Sequence, residues 1–319
     1  MNETNGTILY IVVPCYNEEE MLHITSEKLG EKLRTLKNAG RISDDSRVVY
    51  VDDGSKDNTW NIIEEMHHNN KVFNGVKLSR NEGHQNALLA GLDYARNHAD
   101  MIVSMDADLQ DDIDAVDAMI DKYHTGAEIV YGVRNDRSTD SAFKRGTAQL
   151  FYKMMKIMGA EIVYNHADFR LMSKRAVDEL MNFKEVNLFL RGIVPLIGFK
   201  TDIVEYERHE RIAGESKYPL KKMLSFAIDG VTSFSIKPIN MIITAGFVCF
   251  LISVGMLIYS CIRHFTGDTV SGWTSLMTSI WALGGLQVVS IGVVGKYIGK
   301  VYLEVKERPR YIVDKYLDS

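Results

Sequence analysis

Between Ile8 and Gly132 the chain alternates short, unbroken apolar runs with longer stretches of helical periodicity, and this alternation limits the possible folds severely. Ile8 to Val13, Arg47 to Val51, Val72 to Leu78, Met101 to Met105 and Glu128 to Gly132 are too brief for helices and read as buried strands. Asn17 to Lys37 is rich in Glu, Lys and Leu and opens with Glu18, Glu19 and Glu20, which suit a helix N-terminus. Asp57-Asn58-Thr59 predicts a capped helix to about His68, and Gly83 to Arg96 and Ile113 to His124 are also helical. Strand-helix units in series predict a mostly parallel sheet with right-handed crossovers and helices on both faces.

In such a sheet a ligand lies outside the carboxyl ends of the strands, and the polar clusters fall there. They are PCYNEEE (Pro14 to Glu20), DDGSKDNT (Asp52 to Thr59), SRNEGHQNA (Ser79 to Ala87) and DADLQDD (Asp106 to Asp112). Turn and cap chemistry explains any one of them, with Gly54 and Gly83 supplying tight turns; four on one rim point to a binding site. Asp106 and Asp108 repel each other unless a cation or proton sits between them. Oxygen ligands at this spacing suit Mg²⁺ or Mn²⁺, which keep open positions for substrate phosphates. Asp111 and Asp112 suit the acidic N-terminus of the next helix. Asp52 and Asp53 offer acceptors to a base or ribose. No G-x-x-x-x-G-K-[ST] and no G-x-G-x-x-G is present, which argues against a P-loop kinase and a dinucleotide-dependent dehydrogenase. Metal-held phosphates without a phosphate loop point to a glycosyltransferase using a nucleotide-diphosphate sugar.

The formal charge of -5 argues against nucleic acid as a partner. Cys15, Cys249 and Cys261 form no Cys-x-x-Cys pair and predict neither a disulfide framework nor a zinc site. MNETNGTILYIVVP lacks a basic n-region and a long apolar core, so no signal peptide is expected. Pro238 to Ile262 and Thr269 to Gly295 contain no charged residue, and each exceeds the roughly 20 residues that cross a bilayer. They predict a two-helix transmembrane hairpin. Lys221, Lys222 and Lys237 precede it, and Lys296, Lys300, Lys306, Arg308 and Arg310 follow, so the expected location is the inner membrane, multi-pass, with the catalytic domain and both termini cytoplasmic. Residues 218–237 read as an amphipathic helix at the bilayer interface. The expected domains are therefore 1–217 catalytic, 218–237 interfacial, 238–262 and 269–295 membrane-spanning, and 296–319 a cytoplasmic tail. Gly284, Gly285, Gly292, Gly295 and Gly299 allow close helix packing, within the hairpin or in a homo-oligomer.

The segments VVPCYNEE, VDDGS, LSRNEGHQNALLAGL, DADLQD, HADFRLMSKRAV and RIAGESKY resemble the inverting family-2 glycosyltransferases of the glycosyltransferase-A fold. The resemblance is in particular to the polyprenyl-phosphate branch, which includes bacterial bactoprenol glucosyltransferases and dolichol-phosphate mannose synthases. The resemblance covers nearly all of residues 8–220. It implies that Pro14, Tyr16, Glu18 and Asp53 help hold the nucleotide, and that Asp106, Asp108 and Gln110 hold metal and diphosphate. Asn17, Asp52, Asn81, Gly83 and Gln85, on the same rim segments, complete the expected nucleotide-sugar site. His84 stands where many relatives carry Lys.

An anionic acceptor beside an acidic metal site needs positive charge, which Arg134, Arg137, Lys144 and Arg145 can supply. Asp168, with Arg170 and Ser173 beyond it, is either a base or, preferably, a group that orients the acceptor or its Arg partners. Arg211-x-x-Gly214-x-Ser216-Lys217 suggests a loop over the donor or acceptor phosphates. The expected catalytic set is thus Asp106, Asp108, Asp168, Arg134, Arg211 and Lys217, and the expected acceptor-phosphate set is Arg134, Arg137, Lys144, Arg145, Ser173, Arg211 and Ser216. The implied reaction moves glucose or N-acetylglucosamine from a UDP-sugar to polyprenyl phosphate with inversion. A phosphate monoester is largely dianionic at neutral pH and needs little deprotonation. The alternatives are a GDP-mannose-dependent synthase and a non-catalytic nucleotide-sugar-binding membrane protein. A processive polysaccharide synthase is disfavoured, because no Gln-x-x-Arg-Trp is present.

Overall fold

The computed structural model describes residues 6–134, 166–185, 190–207 and 272–319, with scattered positions between 239 and 258. The chain divides into two compact units; the first holds all the described strands, and the second holds the long helix Trp273–Val305. In chain order the first unit contains β1 (Leu9–Cys15), α1 (Leu22–Asn38), β2 (Arg47–Asp52), α2 (Thr59–Asn69), β3 (Phe73–Leu78), α3 (His84–Ala95), β4 (Met101–Ser104), α4 (Ala115–His124), β5 (Ile129–Arg134) and β6 (His166–Ser173). It continues with α5 (Lys174–Asn182), α6 (Leu190–Ile193), the 3₁₀ turn Val194–Ile197, β7 (Thr201–Tyr206) and, beyond α7 (Trp273–Val305) of the second unit, β8 (Val313–Leu317).

Eight strands form one sheet in the order β7-β5-β6-β4-β1-β2-β3-β8. The expected glycosyltransferase-A-like α/β domain is present, with a mixed sheet in which parallel pairings outnumber antiparallel ones. β1 pairs in parallel with β2 and β4, β2 with β3, and β5 with β7, whereas β6 runs antiparallel to both β4 and β5. Strands β1 and β2 are buried along almost their whole length, which is why they read as unbroken apolar runs. Helix α3 lies so close to them that a Cβ on Gly91 would sit 2.3 Å from Val12 and 2.6 Å from Val51. Leu22, Leu29, Leu33 and Leu36 of α1 recur at helical spacing and pack into the core beside Ile11 and Val48. The helix begins at Leu22, later than expected, because Asn17 and Glu18 donate their backbone N–H groups to Ser55 and Thr59 of the neighbouring loop.

Among the described residues no helix is long and apolar enough to cross a membrane, and this overturns the two-helix transmembrane hairpin and the multi-pass inner-membrane location with cytoplasmic termini. Most of the second uncharged run falls in α7, which continues through Lys296, Lys300 and Glu304. A Cβ added at Gly284, Gly285, Gly292, Gly295 or Gly299 would meet nothing within 4 Å among the described residues. The interfacial helix expected at 218–237 lies outside the described residues, as does most of 238–262.

The stretch expected as a tail contains β8, which pairs antiparallel with β3 and closes that edge of the sheet. The Ser79 N–H donates to the Ile312 carbonyl at 2.9 Å, the Tyr311 hydroxyl to Asp93 at 2.9 Å, and the Tyr94 hydroxyl to Asp318 at 2.6 Å. Asn74, fully buried in β3, donates to the Tyr94 oxygen at 3.0 Å and accepts from the Ser319 hydroxyl at 2.9 Å. A chain ending at Arg308 would uncover these groups together with Leu317. It is expected to be less stable by about 3 kcal/mol, measured by urea denaturation, because buried polar groups lose their partners and an edge strand is exposed.

Candidate active site

The carboxyl ends of β1, β2, β3 and β4 meet on one rim. Pro14 is buried within β1, and Tyr16 stands exposed just past it. Asn17 takes a left-handed conformation, φ 53°, which an Asn side chain tolerates. Its backbone N–H donates to Ser55 Oγ at 3.0 Å and its Oδ1 accepts from the Lys56 N–H at 2.9 Å, so the first two rim loops are stitched together. Gly54, at φ +65°, joins the third loop: a Cβ there would lie 2.5 Å from the carbonyl carbon of Arg80.

The two acids after β2 differ in use. Asp53 accepts from the Glu82 N–H at 2.7 Å and the Gly83 N–H at 2.9 Å, so both oxygens hold the β3–α3 loop. Asp52 accepts from the Ser55 N–H at 3.1 Å through Oδ1, while its buried Oδ2 has no hydrogen-bond partner among the described residues. Burial pushes both carboxyls above the usual aspartate range. Asn81 is exposed, and Gly83 adopts φ +90° directly before α3. Gln85 accepts from the Leu190 N–H at 2.8 Å, tying α3 to α6.

Beyond β4 the chain turns sharply, with Leu109 at φ 54°. Thr25 of α1 anchors the turn by donating to the Ala107 carbonyl at 2.7 Å, and the Gln110 N–H donates to Asp108 Oδ1 at 3.2 Å. Asp106 faces His84, whose Nε2 lies 3.6 Å from Asp106 Oδ1 and 3.6 Å from Asp168 Oδ2. Loss of solvent raises the Asp106 carboxyl to about 6; His84 opposes the rise, and the charges of Asp111, Asp168 and Asp108 add to it. Desolvation pulls the His84 imidazole down, but the hydrogen bond to Asp168 and the charges of Asp106 and Asp168 outweigh it and carry the ring up to about 9.

Asp168, on β6, is the hub of the basic side of the rim. Arg170 donates to its Oδ1 at 2.7 Å, and Arg191 of α6 reaches Oδ1 at 3.3 Å and Oδ2 at 3.2 Å. Desolvation works against ionisation here, yet Arg191, His84 and Arg170 together hold the Asp168 carboxyl well below the usual range. Its backbone carbonyl accepts from Ser104 of β4 at 2.6 Å, which locks β6 beside the rim. At the end of β5, Arg134 pairs with Asp111 at 3.0 Å.

One expected site residue is not brought to this rim. Ser173 pairs in register with Met101, at the opposite end of β4 from Asp106, where it caps α5 by accepting from the Ala176 N–H at 3.0 Å and bonds to Glu128. The antiparallel direction of β6 explains the displacement: residues after Asp168 run away from the rim. Arg137, Lys144, Arg145, Arg211, Ser216 and Lys217 lie outside the described residues. Sequence reasoning passed over Arg191 and Tyr206 and took Asp111 for a helix-terminal acid. Tyr206 was within reach of the same rule that found the rim, since it is the last residue of β7.

A divalent ion has a partial donor set here. Among the described residues no group of three or more His, Cys, Asp or Glu could hold a metal. Asp106 and Asp108 nevertheless supply two carboxylates beside further negative charge, which fits an ion that takes one or two carboxylates and completes its shell with substrate phosphates.

The chain is 53% identical over 307 residues to the uncharacterized glycosyltransferase YkoT of Bacillus subtilis, covering 96% of this chain and 91% of that one. It is 41% identical over 310 residues to a prophage bactoprenol glucosyl transferase homolog of Escherichia coli, covering 96% and 98%. The bactoprenol glucosyl transferase of Shigella phage SfII is 40% identical over 310 residues, covering 96% and 97%. Among solved structures, glucosyl-3-phosphoglycerate synthase of Mycobacterium tuberculosis has a TM-score of 0.47 at 15% identity, covering 72% of this chain and 79% of that one. The α/β rim and the relatives from Bacillus, Escherichia and the Shigella phage define a glycosyltransferase. The Glycosyl transferase family 2 profile matches residues 10–181, and the chain belongs to that family, with the resemblance to its polyprenyl-phosphate branch upheld by relatives that match along nearly the whole chain.

Proposed function

We propose that this protein moves a sugar from a nucleotide-diphosphate sugar to the phosphate of a polyprenyl phosphate, with inversion at the anomeric carbon. UDP-glucose is the favoured donor. The observation that carries the reading is the identity of about 40% along nearly the whole chain with bactoprenol glucosyl transferases. The rim supports it: a carboxylate turn at Asp106 and Asp108 faces a basic group built from His84, Arg170 and Arg191 around Asp168, and Arg134 stands at the end of the neighbouring β5.

Pro14, Tyr16, Asn17, Glu18 and Asp52 receive the nucleotide, and the unpartnered buried oxygen of Asp52 suits a donor group on the base or ribose. Asp53 acts at one remove, shaping the loop of Asn81, Gly83 and Gln85 through its two backbone hydrogen bonds. Asp106 and Asp108, with Gln110, would hold Mg²⁺ or Mn²⁺, which when bound neutralises charge on the leaving diphosphate. Arg134 receives the acceptor phosphate, Arg137, Lys144 and Arg145 of the same basic stretch add positive charge for it, and Arg211, Ser216 and Lys217 serve the donor or acceptor phosphates. Asp168 orients rather than abstracts a proton. Its oxygens already hold Arg170 and Arg191, and a carboxylate kept well below the usual range is a weak base. The acceptor, already dianionic, needs little base assistance.

A donor screen tests this. Purified protein, undecaprenyl phosphate in detergent and radiolabelled UDP-glucose, UDP-N-acetylglucosamine or GDP-mannose are combined, and the organic phase is counted. UDP-glucose is expected to give a labelled lipid; failure of every donor to label it would defeat the proposed activity.

A further inference from the structure

Arg134 is held by two groups. Its Nη2 donates to Asp111 Oδ1 at 3.0 Å and its Nε to the Tyr206 hydroxyl oxygen at 3.2 Å. The Tyr206 hydroxyl in turn donates to the same Asp111 oxygen, closing a ring of three side chains. The ring joins three rim elements: Asp111 follows the carboxylate turn after β4, and Arg134 and Tyr206 are register partners at the ends of the parallel strands β5 and β7.

The backbone is arranged to admit this ring. Tyr206 packs edge-on against Phe169, with centroids 5.3 Å apart and planes at 89°. Both aromatic rings press on Gly132, where a Cβ would lie 2.7 Å from Phe169 and 3.0 Å from Tyr206. The hydroxyl is therefore presented by a ring with little freedom. Asp111 is only 3% exposed, and its second oxygen has no hydrogen-bond partner among the described residues. A largely buried ion pair of this kind adds little net stability compared with apolar side chains of the same volume. Its use lies in geometry rather than in stability: two of the three guanidinium nitrogens are hydrogen-bonded, one of them to a hydroxyl on a tightly packed ring.

We propose that Asp111 and Tyr206 are positioning residues that fix the Arg134 guanidinium as the receiver of the acceptor phosphate, thereby coupling the carboxylate turn at Asp106 to the acceptor side of the rim. This rests on the reading of Arg134 given under the proposed function. Asp111 touches no substrate in this scheme and acts through Arg134.

The test compares KM for undecaprenyl phosphate, KM for the sugar nucleotide and kcat among the intact protein and its D111N, Y206F, R134Q and D111N/R134Q variants, with circular dichroism and melting curves recorded for each. Loss of orientation in D111N is expected to raise the acceptor KM about tenfold while the donor KM stays within about twofold. Y206F, which keeps the ring against Phe169, is expected to raise it about threefold. Because Asp111 acts through Arg134, the double variant is expected to be no worse than R134Q. Multiplying effects, or a D111N change confined to donor KM or kcat, overturn the inference. If D111N does not fold, Y206F and its double variant with R134Q decide by the same criteria. R134Q with a raised acceptor KM and silent D111N and Y206F sinks the positioning role alone; a silent R134Q sinks the acceptor reading and the inference with it. Should no sugar transfer occur, binding of farnesyl phosphate to the same variants is measured by calorimetry, where unchanged affinity in D111N and Y206F overturns the inference.

Discussion

Replacing Asp106 or Asp108 with Asn is expected to lower sugar transfer by about a thousandfold, the scale set by removing one group that stabilises developing charge in a closed site. The protein should stay folded. Asp106 has its carboxyl raised to about 6, so its ionised form is disfavoured by the fold at neutral pH. A neutral Asn relieves that repulsion, and the melting temperature of D106N at pH 7 is expected to match or exceed that of the parent. Transfer measured with a chelator in excess should fall to a similar residual level and recover on adding Mg²⁺ or Mn²⁺. Near-normal transfer in the chelator would remove the metal from the mechanism.

Asp168→Asn has the second large effect, on stability as well as on transfer. The carboxylate neutralises Arg170, which is 2% exposed, and also holds Arg191 and His84. Removing one member of a buried charge cluster leaves the rest uncompensated and costs about 3 kcal/mol. For a domain of this size that corresponds to a melting temperature lower by roughly 10 °C. The pH dependence has a definite sign. The folded carboxyl lies well below its ordinary value of 3.8, so its stabilisation is present above that value and is lost as the pH falls through the depressed range. The gap in melting temperature between the parent and D168N should be constant from neutrality to about pH 5 and shrink on further acidification. A gap that widens in acid would mean that Asp168 is not held ionised by Arg191, His84 and Arg170. Transfer by D168N should fall with it, through disordered Arg191 and His84 rather than through loss of a base. Restoration of transfer at high pH would instead identify Asp168 as the base.

Much of the rim was legible in the sequence because it depends on local chemistry. Strands buried on both faces are unbroken apolar runs, and the polar residues after each of them must lie at its carboxyl end. That reasoning brings Asp52, Asp53, Asp106 and Asp108 together without tertiary information. It fails where a strand reverses direction. HADFRLMS reads the same whether β6 runs parallel or antiparallel, so Ser173 was grouped with Asp168 although the chain carries it to the far end of β4. His84 illustrates a different limit. Its position was evident, but its placement between Asp106 and Asp168 arises from the meeting of α3, β4 and β6. Arg191 sits on a four-residue helix with no periodicity to mark it.

The pairing of β8 with β3 also bears on how the chain is made. Tyr94 and Asp318 are separated by 224 residues, and Gly75 meets Leu317 across a comparable span. Domains acquire structure from the N-terminus as synthesis proceeds, so β1 to β4 can assemble long before their last neighbour exists. Until residues 313–317 emerge, the nascent sheet presents β3 as an open edge able to pair with another chain. Translation through β8, rather than completion of the rim at β1 to β4, is then the event that covers the β3 edge.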